Sequence, residues 1–182
     1  METNQPKIYS ANHDVPILVA IKVAGALVSI AWIVLFSAGL LVNSQPYRDA
    51  LGKQFDFSLL VISIFTYTPT NIAILCLLAA LVGGCASRLV SVKAHELGVD
   101  LSKSDSYMYM TENPLSSMLR GLVVYFLFLT GVYVSTDAPF AAPTPGQFAR
   151  AAGSVSLLSF AVGYDPTIFR SIIGMAGRLK KE

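Results

Sequence analysis

The sequence predicts an all-α, polytopic membrane protein, and three features of its composition indicate this fold class. Apolar residues make up 54% of the 182-residue chain, charged residues make up only 13%, and the mean hydropathy is +0.60. A soluble domain carries about 25% charged residues, so this chain has too few charges to cover a globular surface in water. The composition therefore excludes a soluble enzyme domain, a disordered chain and a collagen-like repeat.

The first predicted transmembrane helix covers residues 17–42. Residues 23–42 carry no charge, and this stretch has the length of about 20 residues that a helix needs to cross a bilayer. Lys22 lies just before it and can extend its ammonium group to the interface.

The second uncharged stretch, residues 57–87, is too long for one span and too short for two spans with a turn. Proline interrupts a helix, and hydroxyl groups can satisfy the backbone groups that it frees. Pro69 lies among polar residues, namely Thr66, Thr68, Thr70 and Asn71. We therefore predict a short helix at 57–65, a turn at 66–69 and the second span at 70–87. The short helix and turn form either a re-entrant loop or a helix on the outer membrane surface.

The third and fourth spans are predicted at residues 115–136 and 147–164, separated by a turn rich in proline. Aspartate is a preferred N-cap and proline a preferred first helical residue. Asp165 and Pro166 therefore predict the start of an amphipathic C-terminal helix, whose cations can reach lipid headgroups.

The distribution of lysine and arginine predicts the orientation, because these residues favour the cytoplasmic side. With both termini in the cytoplasm, ten of the 13 cations lie inside, and Arg48, Lys53 and Arg150 lie outside. We therefore expect a multi-pass membrane protein with both termini in the cytoplasm. It has a cytosolic segment at 1–16, a transmembrane domain at 17–164 with a cytosolic loop at 88–120, and a cytosolic tail at 165–182.

No sequence motif supplies catalytic chemistry. The two cysteines, Cys76 and Cys85, both fall within the second uncharged stretch, and the two histidines are far apart in sequence. Nucleophile, metalloprotease and phosphate-loop signatures are absent from the chain. The sequence therefore predicts a protein that is not an enzyme and that holds no metal or cofactor.

Small residues form a stripe on each of two predicted spans, and small residues allow membrane helices to approach closely. The second span carries Ala73, Cys76, Ala80, Gly83, Gly84 and Ser87. This stripe serves either packing within the chain or a contact between subunits. The fourth span carries Ala149, Ala152, Ser156, Ser159 and Gly163. This second stripe either packs or lines a pore, and a competing face carries Arg150, Ser154, Ala161 and Asp165.

These features favour a homo-oligomeric ion channel, because the interior of one four-helix bundle is filled by side chains. The predicted pore-lining residues are Thr66, Thr68, Thr70, Asn71, Arg150, Ser156, Ser159, Gly163 and Asp165. The alternatives are a non-catalytic accessory or structural subunit of a larger membrane complex and a small dimeric transporter. Inner-side cations form the predicted ligand site, namely Arg88, Lys93, Lys103, Arg120 and Arg170.

The four-pass layout, the polar turn at 66–71 and the run Gly163-Tyr164-Asp165-Pro166 resemble small membrane effectors of bacterial anti-phage operons. Among these, the chain resembles the channel component of the Hailong defence system. The resemblance implies a homotetrameric channel of the inner membrane. It also implies that an operon-encoded nucleotidyltransferase makes a cyclic or linear oligonucleotide that holds the channel shut, so that opening depolarises the cell.

Overall fold

The computed structural model describes residues 14–96, 113–137, 139–140 and 143–179, and every regular element in these ranges is a helix. In chain order the helices are α1 (Asp14–Leu41), α2 (Gln45–Lys53), α3 (Phe57–Thr66), α4 (Thr68–Glu96), α5 (Pro114–Ser135), α6 (Pro145–Tyr164) and α7 (Pro166–Leu179). The predicted all-α class is confirmed for this part of the chain.

Three helices in the described ranges are long and apolar enough to cross a membrane. These segments are Leu18–Leu41 of α1, Thr68–Ser91 of α4 and Pro114–Ser135 of α5. The fourth predicted span is also a helix, α6, with close to the predicted bounds. It is less apolar than the other three because it contains Gln147, Arg150 and three serines.

Helix α4 lies at the centre of the bundle and packs against α1, α5 and α6. Its residues Ile72, Leu75, Cys76 and Ala80 are fully buried and belong to the core. Val124 of α5, together with Phe148, Ala152 and Val162 of α6, completes most of the remaining core. The bundle is therefore organised around the α4–α5–α6 contacts.

Helix α1 packs much more loosely than α4. From Leu18 onward, Leu35 is its only buried residue. Val19, Leu27 and Ile33 are among the large apolar side chains that α1 leaves exposed. Such a helix suits a lipid environment or the surface of a second protein, because in water these side chains would be costly to expose.

Capping residues form hydrogen bonds at the starts of α6 and α7. Asp165 lies immediately before α7, and its carboxylate accepts hydrogen bonds from the Thr167 amide (2.8 Å) and hydroxyl (2.7 Å). Pro166 is the first residue of α7, so the predicted cap and helix start are confirmed. At the start of α6, Thr144 and Gln147 form a capping box that satisfies backbone donors.

Three details differ from the prediction or extend it. Helix α2 was not predicted, although a proline in its first turn and Lys53 in its last are typical helix signals. The turn predicted at 66–69 is shorter, because α3 runs to Thr66 and α4 begins at Thr68. Helix α4 extends past the predicted end of the second span at residue 87 as far as Glu96, and residues 97–112 of the loop lie outside the described ranges.

Candidate functional site

Side-chain hydroxyls satisfy the backbone at the junction between α3 and α4. Only Tyr67 separates the two helices. Thr66 Oγ1 donates to the carbonyl of Ile62 (2.7 Å), and Thr70 Oγ1 donates to the carbonyls of Ile64 (2.5 Å) and Tyr67 (3.0 Å). Carbonyls freed at the end of α3 therefore find donors inside the protein, as the sequence predicted.

Asn71 ties three helices together at this junction. Its side chain is fully buried, and Nδ2 donates to the carbonyl of Leu35 in α1 (3.0 Å) and to that of Phe65 in α3 (2.6 Å). Its Oδ1 is buried without a hydrogen-bond partner among the described residues. The amide is thus a polar connection between α1, α3 and α4 in otherwise apolar surroundings.

We expect Asn71→Leu to lower the free energy of unfolding by about 1–3 kcal/mol, because it removes two hydrogen bonds between helices. Unfolding in mixed micelles with increasing sodium dodecyl sulfate measures this change. Thr130→Leu is the matched control, because Thr130 is exposed on α5. Equal stability of the two variants and the wild type would show that the Asn71 bonds contribute nothing.

A polar cavity of about 410 Å³ lies beside this junction and is lined by residues at the starts of α2, α4 and α6. The guanidinium carbon of Arg48 lies 4.6 Å from the centroid of the Tyr67 ring, and both residues line the cavity. Helix N-termini and a guanidinium both favour negative charge, and the described residues of the lining include no carboxylate. This arrangement was not predicted from the sequence, because α2 was missed although its proline and Lys53 are typical helix signals.

The small-residue stripes of α4 and α6 pack against each other inside the protomer. A Cβ on Gly163 would overlap the Ala80 carbonyl oxygen, and a Cβ on Gly83 would overlap the Phe160 carbonyl oxygen. Cys76 is also buried in the core. The α4 stripe is therefore occupied by the same chain, so the interpretation of this stripe as a subunit contact is not supported.

Most of the predicted pore-lining residues lie inside the protomer. Five of them are buried: Thr66, Asn71, Ser156, Ser159 and Gly163. Thr68 and Thr70 are half-buried at the α3–α4 junction. The close approach of α4 and α6 encloses the small side chains of α6, whereas the α3–α4 junction encloses Thr66 and Asn71. In this protomer these residues serve packing and hydrogen bonding. Of the predicted set only Arg150 is exposed on the opposite face of α6, and Asp165 is half-buried between α6 and α7.

The opposite face of α6 is open and begins with polar residues. Gln147, Arg150 and Ser154 are all exposed and follow the spacing of one helix face. Leu157, which is 70% exposed, and Leu158, which is 44% exposed, come next. We call these five residues the open face of α6. The sequence had indicated Arg150 and Ser154 on a competing face but could not choose between the two faces.

The predicted inner-side cations occupy different environments. Arg120 of α5 is only 9% exposed, and its Nη2 donates to Ser117 Oγ (3.1 Å). Arg88 of α4 is half-buried, and Arg170 of α7 is exposed. The side chain of Lys93 and the whole of Lys103 lie outside the described residues. The buried position of Arg120 suits a structural role better than contact with a soluble ligand.

Within the described ranges, no three His, Cys, Asp or Glu side chains come together as a group that could hold a metal ion. No family model, curated protein or solved structure matches this chain.

Proposed function

We propose that the chain assembles with itself into a membrane channel whose water-filled pathway is lined by the open face of α6. The observation that carries this proposal is the polarity of that face. Exposed residues on α1 and α5 are mostly apolar, whereas α6 exposes Gln147, Arg150 and Ser154 together. A polar or charged group at membrane depth normally faces water or a protein partner.

The position of α6 supports a role as a fourth span. Thr144 and Pro145 line the same cavity as Thr68, so α6 and α4 begin at the same end of the bundle. Gly163, near the end of α6, lies against Ala80 of α4. Helix α6 thus runs parallel to α4, and its 20 residues extend over about 30 Å, which matches the thickness of a hydrocarbon core of about 30 Å.

A pathway between protomers explains both halves of the open face. The outer half of the open face is polar and accepts water. This half extends to Ser154, which lies about 14 Å along the helix axis from Pro145. Its inner half carries Leu157 and Leu158, and rings of such side chains can close a pore by excluding water. Side chains fill the core of one protomer, so the pathway requires several protomers to assemble. We predict a tetramer.

Cysteine accessibility tests the lining directly. In a background lacking Cys76 and Cys85, we expect a water-soluble thiol reagent to react with Ser154→Cys and reduce the current through reconstituted protein several-fold. Ser159→Cys is the matched control, because Ser159 is fully buried against the neighbouring helices. It should remain unreactive.

The same reagent added from outside should label Gly52→Cys but not Ser116→Cys if both termini are cytoplasmic.

Equal labelling at positions 154 and 159, or an absence of current from correctly assembled protein, would contradict the proposed pathway. A non-catalytic subunit of a larger complex is then the better candidate. Helix α1 favours that second function, because its wide apolar surface is available to pack on a partner. The mass of the purified particle distinguishes a homo-oligomer from a chain found only with other subunits.

The anti-phage role implied by the family resemblance stays a prediction. It requires that an oligonucleotide close the channel from the cytoplasmic side, where Arg88 and Arg170 provide cations. Adding candidate oligonucleotides to either side of a bilayer containing the open channel tests this directly. Closure from one side only is the expected result.

A further inference from the structure

A second cavity lies between α1, α4 and α5, at the end of the bundle where α1 begins. Its volume is about 450 Å³, and its walls include Ala24 and Val28 of α1 and Leu81 of α4. Pro114, the first residue of α5, and Arg88 mark the same end of the cavity. The wall on α4 extends from Leu81 to Arg88, about 10 Å along the helix axis. We call this cavity the α1–α4 groove.

Arg88 gives this apolar groove a charged end. Its side chain is half-buried and makes no hydrogen bond or ion pair with any residue that the structure describes. A guanidinium at the edge of an apolar region is stabilised by an anion, and its planar donors match the oxygens of a phosphate.

We propose that the α1–α4 groove binds one anionic phospholipid. The phosphate lies on the Arg88 guanidinium, and one acyl chain lies between α1 and α4. Charge complementarity identifies the headgroup, and the aliphatic wall identifies the chain. Basic pockets between transmembrane helices on the cytoplasmic side bind anionic headgroups in this way. The groove is formed within a single protomer, so the lipid site does not require the proposed assembly, although Arg88 is also one of the two cations assigned above to the predicted oligonucleotide.

The loose packing of α1 indicates a structural role for the bound lipid. Leu35 is the only described residue of α1 that is buried, and it lies in the half of the helix away from the groove. In the groove half, a Cβ on Gly25 would lie in van der Waals contact with Cys85 Cβ, at 3.5 Å, so α1 and α4 touch at this point beside the groove. An acyl chain fills the remaining space, and we therefore expect the lipid to hold α1 against the bundle.

The test compares thermal unfolding of the delipidated protein in neutral detergent with added phosphatidylglycerol or phosphatidylcholine of identical acyl chains. At saturating lipid, phosphatidylglycerol should raise Tm by about 5 °C more than phosphatidylcholine. Arg88→Gln should remove this difference. Lys53→Gln is the charge-matched control, because Lys53 is exposed on α2 at the opposite end of the bundle, and it should retain the difference.

Ala24→Leu tests the chain-binding part of the groove by filling it. Ala24 is exposed and lines the groove, so the fold tolerates the larger side chain, and the variant should lose the response to phosphatidylglycerol. Ala26→Leu, also exposed on α1 but outside the groove wall, should keep it. If Arg88→Gln does not fold, native mass spectra of the wild type and Ala24→Leu replace this comparison. The wild type should retain phosphatidylglycerol in preference to phosphatidylcholine, and Ala24→Leu should lose this preference.

Three results would overturn the proposal. Wild-type protein could show no preference for phosphatidylglycerol, or Arg88→Gln and Ala24→Leu could both respond like the wild type. Glycerol 3-phosphate, which has the anionic group without the acyl chains, could raise Tm as much as the lipid. That last result would identify a site for a free anion instead of a lipid.

Discussion

Replacing Gly163 with alanine is expected to lower the Tm of the purified protein by about 10 °C. The glycine lies where α6 crosses α4, and an added Cβ would lie 2.7 Å from Ala80 Cα and would overlap the Ala80 carbonyl oxygen. Backbone atoms cannot move aside as a flexible side chain can, so the two helices must separate. Overpacking of this kind costs about 1–3 kcal/mol or more, and each kcal/mol shifts Tm by about 2–4 °C in a chain of this size.

The contact is reciprocal, which makes a local adjustment difficult. A Cβ on Gly83 would overlap the Phe160 carbonyl oxygen and would lie 2.7 Å from the Tyr164 amide nitrogen. Separating the helices at Gly163 therefore loosens the contact at Gly83 as well. We expect part of the Gly163→Ala protein to elute as aggregate during size-exclusion chromatography after mild heating.

Gly153→Ala on the same helix is the matched control. No atom lies within 4 Å of a Cβ at position 153, so the methyl group meets open space. Alanine also favours the helical conformation over glycine by about 1 kcal/mol, so this variant should be as stable as the wild type or slightly more stable. A loss of the same size at both positions would show that the α4–α6 crossing is not responsible.

The helices were predictable because long uncharged stretches and capping residues are local signals. The limits of α1, α5 and α6 agree with the sequence within a few residues, and the cap at Asp165 was identified from a dipeptide. These features depend on residues close together in the chain. Tertiary contacts do not have to be known to find them.

The sequence could not decide which face of α6 packs against the bundle. One face carries Ser156 and Ser159, the other carries Arg150 and Ser154, and both follow the helical repeat. The choice depends on α4, where Gly83 and Ala80 allow α6 to approach most closely. The packed face is therefore set by the contact between α4 and α6, and the sequence of one helix alone does not determine it.

The polar residues around Pro69 presented the same difficulty. Thr66, Thr70 and Asn71 suggested a pore lining because hydroxyls and amides at membrane depth often contact water. In the structure their donors serve nearby backbone carbonyls of α1 and α3 instead. Polarity in the sequence therefore indicated that a partner was needed, but only the fold identifies the partner.

If the proposed channel exists, reversing the charge at position 150 is expected to change its ion preference by about tenfold. Arg150 is exposed on the open face of α6, so in the proposed oligomer every protomer contributes one copy to the proposed pathway. A charge acts strongly on an ion in a narrow passage, where water screens it poorly. We expect wild-type channels to favour anions, Arg150→Gln to be nearly unselective and Arg150→Glu to favour cations.

The reversal potential of reconstituted channels in a potassium chloride gradient measures this preference. Lys53→Glu is the control, because it makes the same charge change on an exposed residue of α2, outside the open face of α6. Asp165→Asn is expected to have a smaller effect, since the Asp165 carboxylate is held by the Thr167 amide and hydroxyl at the start of α7. Asparagine keeps the capping function there, so the fold is preserved while the charge is lost. If Arg150→Glu and Lys53→Glu shift the reversal potential equally, Arg150 lies outside the pathway, and the open face of α6 is then a surface for a protein partner.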